Sequence, residues 1–597
     1  MSNELPDYRN EEEQNIRNKT VTTNLSGQPE PRHDPTALVE SSHQNEKGKI
    51  NSSIKPGEGV SKSVPTHGWQ TYAAFGTLCL LTFIVALDST IICVALPTIA
   101  EDINASAIEA FWCGTSFLLA STVVQPPIAS LSHVFGRLPA TLSSLTLFTI
   151  GSIVAALAKK VSMLLAGRTL QGLGSGGIVA LTYVITTDLV SLRERGNWFG
   201  LISLTWTLGS IMGPLVGGAI VARSWPWLFW INLPFCGMAY VAIPLTLRIR
   251  RKGGRTTDMK LNEFDWIGSV IFVGSLTSFL IPLSWGGVMY DWSNPRTAAP
   301  LAVGIIGIIG FGFHIVYSYK YSRCDPLIRP SLFKSLTSVT AFFATVIHGI
   351  IAWCIVYYTP LYHLVRGSSA LDAGVALLPF TGTVAPGALV VGILVTKTGL
   401  YRPYVWMGWF LIPTGIGLLM LLERHTETWR WVLIYLTGGV GLGVLYSAQA
   451  FACQAGASNA DLPFAASLYA FCRNLGQGIG VAVGGVTFQN EFEKQIKKSS
   501  QFSDNASEWA RDASALVQLI KKLPPDMKPM RDTIVEGYVK GLHTVWFVLC
   551  VLACVGLVAS LLGIKGKSLD RDFEAEHGLV NGGGRDDEGE SSADASV

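Results

Sequence analysis

A chain of 597 residues with 49% hydrophobic side chains, only 15% charged ones and a mean hydropathy of +0.37 has too little polar surface for a soluble protein of its length. Its net charge is +3, and its 45 Lys and Arg residues are spread over connecting loops with no block that would track a phosphate backbone, which excludes nucleic acid as a partner. The composition is that of a polytopic membrane protein, and apolar runs of about 20 residues make it all-α, since such runs satisfy their backbone hydrogen bonds as helices.

In chain order, residues 1–68 are polar and rich in Asn, Ser, Glu and Lys, and are expected to form a disordered cytosolic tail. No apolar run follows a basic start there, so a cleavable signal peptide is not expected and the first span itself targets the chain. At about 20 apolar residues per crossing, six spans are predicted near Tyr72 to Leu96, Ala107 to Leu131, Pro139 to Ala158, Val161 to Thr186, Trp198 to Val221 and Trp227 to Leu247. Two more fall near Asp265 to Trp285 and Thr297 to Tyr319. A last six fall near Thr337 to Tyr362, Leu371 to Val395, Pro403 to Leu422, Trp431 to Phe451, Pro463 to Phe488 and Leu542 to Leu562. The fold class is therefore about fourteen helices, read as an N-terminal six-helix half (69–247), a cytosolic linker with two additional spans (248–336), a C-terminal six-helix half (337–563) and a disordered cytosolic tail (564–597).

Basic residues concentrate in alternate loops, including Arg137, Arg193, Arg195, the run from Arg248 to Arg255, Arg329 and Arg402, which puts both termini in the cytosol. The long connection 490–540 then lies outside, although it carries Lys494, Lys497, Lys498, Lys521 and Lys522. Within it, Ser507 to Leu523 reads as a short amphipathic helix, and Asn505-Ala-Ser is a usable glycosylation acceptor. An internal echo links Ala129-Ser-Leu-Ser-His-Val-Phe-Gly136, after the second span, with Gly392-Ile-Leu-Val-Thr-Lys-Thr-Gly399, after the tenth. Duplication of a six-helix unit explains it, as does chance similarity of two glycine-containing turns.

Asp88, Arg168 and Arg473 stand inside apolar spans. A charge at that depth costs roughly 2.5 kcal/mol or more unless it faces a partner or a polar cavity, so such residues mark a transport pathway or a proton relay. Counted along their helices, Asp88 lies about nine residues before the outer end of the first span and Arg168 about seven after the outer start of the fourth. At 1.5 Å per residue they fall within roughly one turn of each other. They can share one electrostatic site in which access and a nearby guanidinium control proton binding, or form a static ion pair.

The ten cysteines fall singly, and no metal site or cofactor is expected. His314 and His348 read as packing residues. Gly172-Leu-Gly174-Ser-Gly-Gly177 fits a dinucleotide-binding string but lies in a membrane span with no preceding strand, and no phosphate-binding loop is present, so no nucleotide is expected.

Five strings in order, Leu87-Asp88-Ser-Thr-Ile-Ile-Cys-Val-Ala-Leu-Pro97, Phe135-Gly136-Arg137, Leu165-Ala-Gly-Arg168-Thr-Leu-Gln171-Gly172-Leu-Gly174, Gly209-Ser-Ile-Met-Gly213-Pro214-Leu-Val-Gly217-Gly218 and Phe229-Trp-Ile-Asn232-Leu-Pro234, resemble the fungal fourteen-span drug:proton antiporters of the major facilitator superfamily. The resemblance covers about Trp69 to Leu562. It implies two rocking halves and assigns proton coupling to Arg168, with Asp88 as its carboxylate. It makes Gly209, Gly213, Pro214, Gly217 and Gly218 an antiporter motif in the fifth span, and Gly136 and Arg137 a cytosolic gate. The family's gate pattern has an Asp where this chain has His133, so the gate is either weakened and sensitive to cytosolic pH or simply ends in a polar residue.

A midplane cavity between the halves is expected, with Trp112, Gln125, Tyr183, Trp206, Tyr358 and Gln449 as candidate lining residues from position alone. Arg473 either lines it or locks helices. The expected function is proton-coupled efflux of an amphiphilic secondary metabolite, toxin or drug by a monomer in the bilayer, at the plasma membrane or alternatively the vacuolar one. The alternatives are a vacuolar transporter of basic amino acids and a non-transporting nutrient sensor; an enzyme is not expected, because no nucleophile–base pair stands out.

Overall fold

The computed structural model describes residues 68–570, apart from 93–94, 106, 222, 252–262, 288–289, 322–323, 499–505, 507–508 and 510–526, and also residues 577–579. Asn505, most of the amphipathic stretch 507–523 and the tail 1–67 lie outside the described residues.

Among the described residues, fourteen helices of fifteen residues or more follow in sequence. They are α1 Trp69–Ile91, α2 Ala107–Phe135, α3 Arg137–Ala156, α4 Val161–Leu189, α5 Arg195–Val221, α6 Asn232–Thr246, α7 Trp266–Trp285, α8 Pro295–Tyr321, α9 Leu336–Val365, α10 Leu378–Thr398, α11 Arg402–Leu419, α12 Thr428–Ala455, α13 Leu462–Lys497 and α14 Lys528–Gly563. Eleven spans among the described residues are long and apolar enough to cross a bilayer. α4, α11 and α13 are not among them. Two of these, α4 and α13, dilute their hydropathy with glycines and with Arg168, Gln171, Arg473 and Gln477, which they carry into the interior.

The helices form two groups with one packing plan. In the first, α1 runs along α5, α2 and α3 pack on α4, and α6 closes against α1 and α3. In the second, α9 runs along α13, α10 and α11 pack on α12, and α14 closes against α9 and α11. The groups meet along α5 with α10 and along α2 with α13, which exchange under the same correspondence, and α4 also lies against α13. α7 and α8 pair with each other, and α7 touches α2 and α13 from outside both groups. α8 presents Ile306, Phe313, Val316 and Tyr317 outward, as a lipid-facing helix does.

The echo after the second and tenth spans has a conformational basis. Gly136 and Gly399 both take positive φ, +104° and +69°, and each amide bonds back four residues, to Ser132 and Val395. A left-handed glycine is what ends a helix in this way. The string Gly-x-x-x-Gly-x-x-Val-Gly-Gly also stands twice, at 209–218 in α5 and at 476–485 in α13.

Several boundaries differ from the sequence expectation. The first span ends at Ile91, and a separate helix, Leu96–Asp102, starts with Pro97 in its first turn, where a missing N–H costs nothing. The tenth span is split at Leu377: a short helix, Ala370–Ala376, opened by a Ser369–Asp372 capping box, precedes α10. α13 and α14 extend well beyond a bilayer's thickness. Buried Phe488, Phe492 and Ile496, spaced four apart, stack on Ile534, Tyr538 and Leu542 of α14, so an apolar stripe continues both helices into the stretch expected to be loop.

At the end of the bundle that carries Arg137, Arg195 and Arg402, hereafter the basic end, the chain after α14 is tied down. Tyr401 donates to the carbonyl of Lys565 at 2.7 Å, and Arg193 pairs with Asp570 at 2.7 Å. Two short strands, Ile249–Arg251 and His577–Leu579, pair antiparallel.

Candidate functional site

The glycines of α4 make close approach possible. A Cβ on Gly172 would press on Ala120 of α2 at 2.8 Å, and one on Gly174 would lie 2.7 Å from Phe148 Cα of α3. The dinucleotide-like string is thus a packing device between three helices. It sets Arg168 and Gln171, one turn apart on α4, against α1, α2 and α3.

There Arg168 Nη1 donates to Asp88 Oδ2 at 2.7 Å and to Gln171 Oε1 at 2.8 Å, while its Nε donates to the carbonyl of Cys113 at 3.1 Å. Gln171 Nε2 donates to Asp88 Oδ1 at 2.9 Å and to Ser152 Oγ at 2.8 Å. Asn232, the first residue of α6, donates to Asp88 Oδ1 at 2.7 Å. All five side chains are 0% exposed. The guanidinium lies 4.3 Å from the ring centre of Phe117, and its Nη2 has no hydrogen-bond partner. Asp88 therefore accepts from three donors on two other helices, and the network is contained in the first group of six.

Asp88 stands three residues from the end of α1, not nine as the longer predicted span implied. Sequence reasoning singled out Asp88 and Arg168 but gave no role to Gln171, Asn232 or Ser152. The signal available was that Gln171 and Asn232 stand in two of the motif strings, Leu165–Gly174 and Phe229–Pro234.

The glycine motif of α5 abuts the same stretch of α1. A Cβ on Gly209 would meet Ala86 Cβ at 2.8 Å and Phe83 O at 2.9 Å, and one on Gly213 would collide with Thr90 and meet Ile91 N at 3.0 Å. Gly217 is buried, Pro214 sits within the helix, and Gly218 is exposed with nothing within 4 Å of its would-be Cβ. The counterpart run in α13 packs on α9 in the same way: Gly480 sits against Ile350, and Gly484 against Cys354 and Tyr358.

At the basic end, Gly136 forms the turn between α2 and α3. Arg137 is buried and donates through Nε to Asp188 Oδ2 and through Nη1 to Ser132 Oγ, both at 2.8 Å. Its carboxylate comes from the end of α4, so His133 in place of a family Asp does not leave Arg137 without a counter-charge. His133 instead packs edge-on against Phe464 of α13, ring centres 5.1 Å apart, and so spans the two groups. Arg195, also unassigned from sequence, donates to Gln454 Oε1 of α12 at 2.8 Å and to the carbonyls of Thr187 and Val190. Arg193 donates to the carbonyls of Thr396 and Lys397 at 2.8 and 3.0 Å. Beside them Gly196 and Gly392 bring α5 and α10 into backbone contact. These contacts bridge the groups at the basic end.

Between the groups lies an open cleft with about 400 Å³ of atom-free space, open solvent included. Thr82, Tyr183 and Trp206 line it from the first group, and Tyr446, Arg473 and Gln477 from the second. Six residues separate Thr82 from Asp88, roughly 9 Å along α1. Of the lining candidates named from position, Tyr183 and Trp206 lie on this cleft, as does Arg473, for which the sequence leaves lining and helix locking both open. Trp112 does not, because it packs edge-on against Trp285 of α7. Tyr358 does not, because it donates to the carbonyl of Val481 at 2.9 Å and holds α9 to α13. Gln125 and Gln449 are 0% exposed and stand outside the lining, their amides without hydrogen-bond partners. His314 does more than pack: its Nε2 lies 2.9 Å from Asp265 Oδ1, which caps α7. His348 reaches the carbonyl of Leu442 at 3.1 Å.

A family model described as Major Facilitator Superfamily matches residues 78–481. MFS transporter L2 of a Phoma species is 46% identical over 514 residues, covering 86% of this chain and 85% of that protein. MFS-type efflux pump LUC4 of a Fusarium species is 32% identical over 553 residues, covering 92% and 96%. Among solved structures, the human organic anion transporter MFSD10 superposes with a TM-score of 0.52 at 15% identity, covering 83% of this chain and all of that one, a likeness of fold alone. With the family model matching more than half of its length and these relatives aligned nearly end to end, the chain belongs to the major facilitator superfamily, as an integral membrane transporter and not an enzyme.

Proposed function

We propose that this transporter exports an amphiphilic small molecule in exchange for protons, with Asp88 as the proton-carrying carboxylate. The observation that carries the reading is the sealed pair of Asp88 and Arg168 at 2.7 Å, roughly two turns from the cleft. Protonating Asp88 removes the counter-charge of a fully buried guanidinium, which costs about 3–5 kcal/mol in this arrangement. The protonated protein escapes that cost by rearranging, and rearrangement that opens the other face is alternating access. The α5 glycines let α1 slide or tilt against α5 beside Asp88, so the proton's effect is delivered at a helix seam.

Export is supported by the names of relatives, efflux pump LUC4 among them. The cleft lining contributes no Asp or Glu, which disfavours the alternative of basic amino acid transport. A basic end in the cytosol follows the positive-inside rule, and the contacts from Arg193, Arg195 and His133 then form the cytosolic closure. Network and cleft are each formed within one chain, which supports a monomer as the working unit. One proton moving down about 100 mV and one pH unit releases about 3.7 kcal/mol, enough for a ratio of several hundred for a neutral substrate.

The test is efflux of fluorescent amphiphiles and fungal metabolites from cells expressing wild type or Asp88→Asn, with and without a protonophore. Substrate loss that requires both the gradient and Asp88 is the expected result. Accumulation, or no transport by correctly placed protein, overturns export.

A further inference from the structure

Three buried arginines of the bundle have oxygen partners in full view: Arg168 has Asp88, Arg137 has Asp188, and Arg195 has Gln454 and two carbonyls. Arg473 differs. It sits in α13 on the wall of the cleft, and among the described residues no carboxylate forms an ion pair with it. Its guanidinium carbon lies 3.6 Å above the ring centre of Tyr446, and its Nε has no hydrogen-bond partner. The platform is braced. Tyr446 and Tyr183 share a hydroxyl–hydroxyl hydrogen bond of 2.9 Å across the two groups, and Tyr469 donates to the Tyr446 carbonyl at 2.7 Å.

A cation stacked on an aromatic ring keeps its in-plane N–H donors directed sideways, and a guanidinium offers them in a fork that matches a carboxylate. An uncompensated charge held at bilayer depth is the feature that marks a ligand path. Around it the cleft supplies the indole of Trp206 and the side chains of Thr82, Asn474 and Gln477, but no Asp or Glu. The wall is thus selective by charge: it repels an ammonium and rewards an acid carried on a flat apolar body.

We propose that the transported molecule is an anion, a carboxylate on an aromatic or conjugated framework, and that Arg473 is the residue that binds its acidic group. This rests on the reading of the chain as an exporter and names the substrate class of that cleft. A charged hydrogen-bonded pair contributes about 1.5–3 kcal/mol, or roughly ten- to a hundredfold in affinity.

The experiment is calorimetric binding to the full chain in nanodiscs with three probes on one scaffold: 2-naphthoate, its methyl ester and the matching naphthylmethyl trimethylammonium. Wild type should bind the carboxylate at least about tenfold more tightly than the ester, and the ammonium most weakly. Arg473→Gln should bring acid and ester to equal affinity, with retained ester binding showing that the cleft is intact, and Arg473→Lys should keep part of the preference. Equal binding of acid and ester by wild type, preference for the ammonium, failure to bind any of the three, or a preference that survives Arg473→Gln would each overturn the proposal. Export is scored separately by proton-driven efflux. Wild type that binds the acid but expels nothing sinks the exporter reading alone, while Asp88-dependent efflux of the ester or ammonium with rejection of the acid sinks the anion assignment alone.

Discussion

Asparagine at position 88 imitates the protonated carboxyl, so it measures the energy that a proton makes available at this site. Three donors converge on Asp88, and its partner Arg168 has Asp88 as its sole carboxylate acceptor among the described residues. Because both side chains are fully buried, solvent cannot take over either charge. Removing one partner of such a pair costs about 3–5 kcal/mol, most of it the penalty of the stranded charge. Asp88→Asn and Arg168→Gln should each destabilise the protein by that amount. The double variant strands nothing and should recover about 2–4 kcal/mol of the summed loss. The exposed pair Arg430–Glu427 serves as the control: 60% and 62% of those side chains are open to solvent, and its coupling should stay below about 1 kcal/mol. The assay is a double-mutant cycle by reversible SDS unfolding in mixed micelles. Single losses that add, with a coupling under about 0.5 kcal/mol, would refute the claim that the proton acts through Arg168. A loss of 3–5 kcal/mol is also of the size of the roughly 3.7 kcal/mol that one proton delivers from the gradient, as a coupling device requires.

Two further outcomes follow from the packing and the loops. Gly213→Ala forces a methyl group into Thr90 and should cost about 1–3 kcal/mol in the same unfolding assay, while Gly218→Ala, which meets nothing within 4 Å, should fall within about 0.5 kcal/mol of wild type or gain slightly. Equal effects would remove the close α1–α5 approach from the account. Asp461, in the turn before α13, accepts from Ser458 at 2.7 Å and from Arg329 at 3.0 Å. Burial raises its carboxyl pKa, but these hydrogen bonds and the Arg329 charge outweigh it and hold the value below the ordinary 3.8. A depressed native value gives stability that is present above 3.8 and fades as the pH falls through the lower native value. The melting temperature of Asp461→Asn should therefore lie below that of wild type at pH 7 and converge on it as the pH drops past 3.8. A gap that persists in acid would show that the ion pair is not its source.

Much of the architecture was legible because span length and loop charge depend on the bilayer and not on partners far along the chain. Fourteen helices, the extra pair α7 and α8, and the two charges Asp88 and Arg168 follow from that reading. What escaped it depends on which faces meet. The early stop of α1 at Ile91 needed the restart at Pro97 to be recognised as a new helix. The lengthening of α13 and α14 lay in the four-residue spacing of Phe488, Phe492 and Ile496 among charged neighbours, where average hydropathy hides a stripe. Arg195 read as one more positive-inside residue, and nothing local reveals that Gln454 waits for it 259 positions away. His133 looked like the loss of a counter-charge because the eye stayed within one loop, whereas Asp188 supplies it from another helix end. The repeated string at 209–218 and 476–485 was visible without a structure, and it shows that the α5 motif is first a way of packing a helix on its neighbour. Trp112 and Tyr358 show the limit of placing cavity residues by depth, since a helix at the right depth still has an outward face.

The measurement that bears most directly on proton coupling uses proteoliposomes with a trapped pH dye and a substrate found in the efflux panel. A substrate gradient should drive protons the opposite way in wild type. Asp88→Asn should still exchange labelled for unlabelled substrate across the membrane while moving no protons. Proton movement by Asp88→Asn equal to that of wild type would contradict the account.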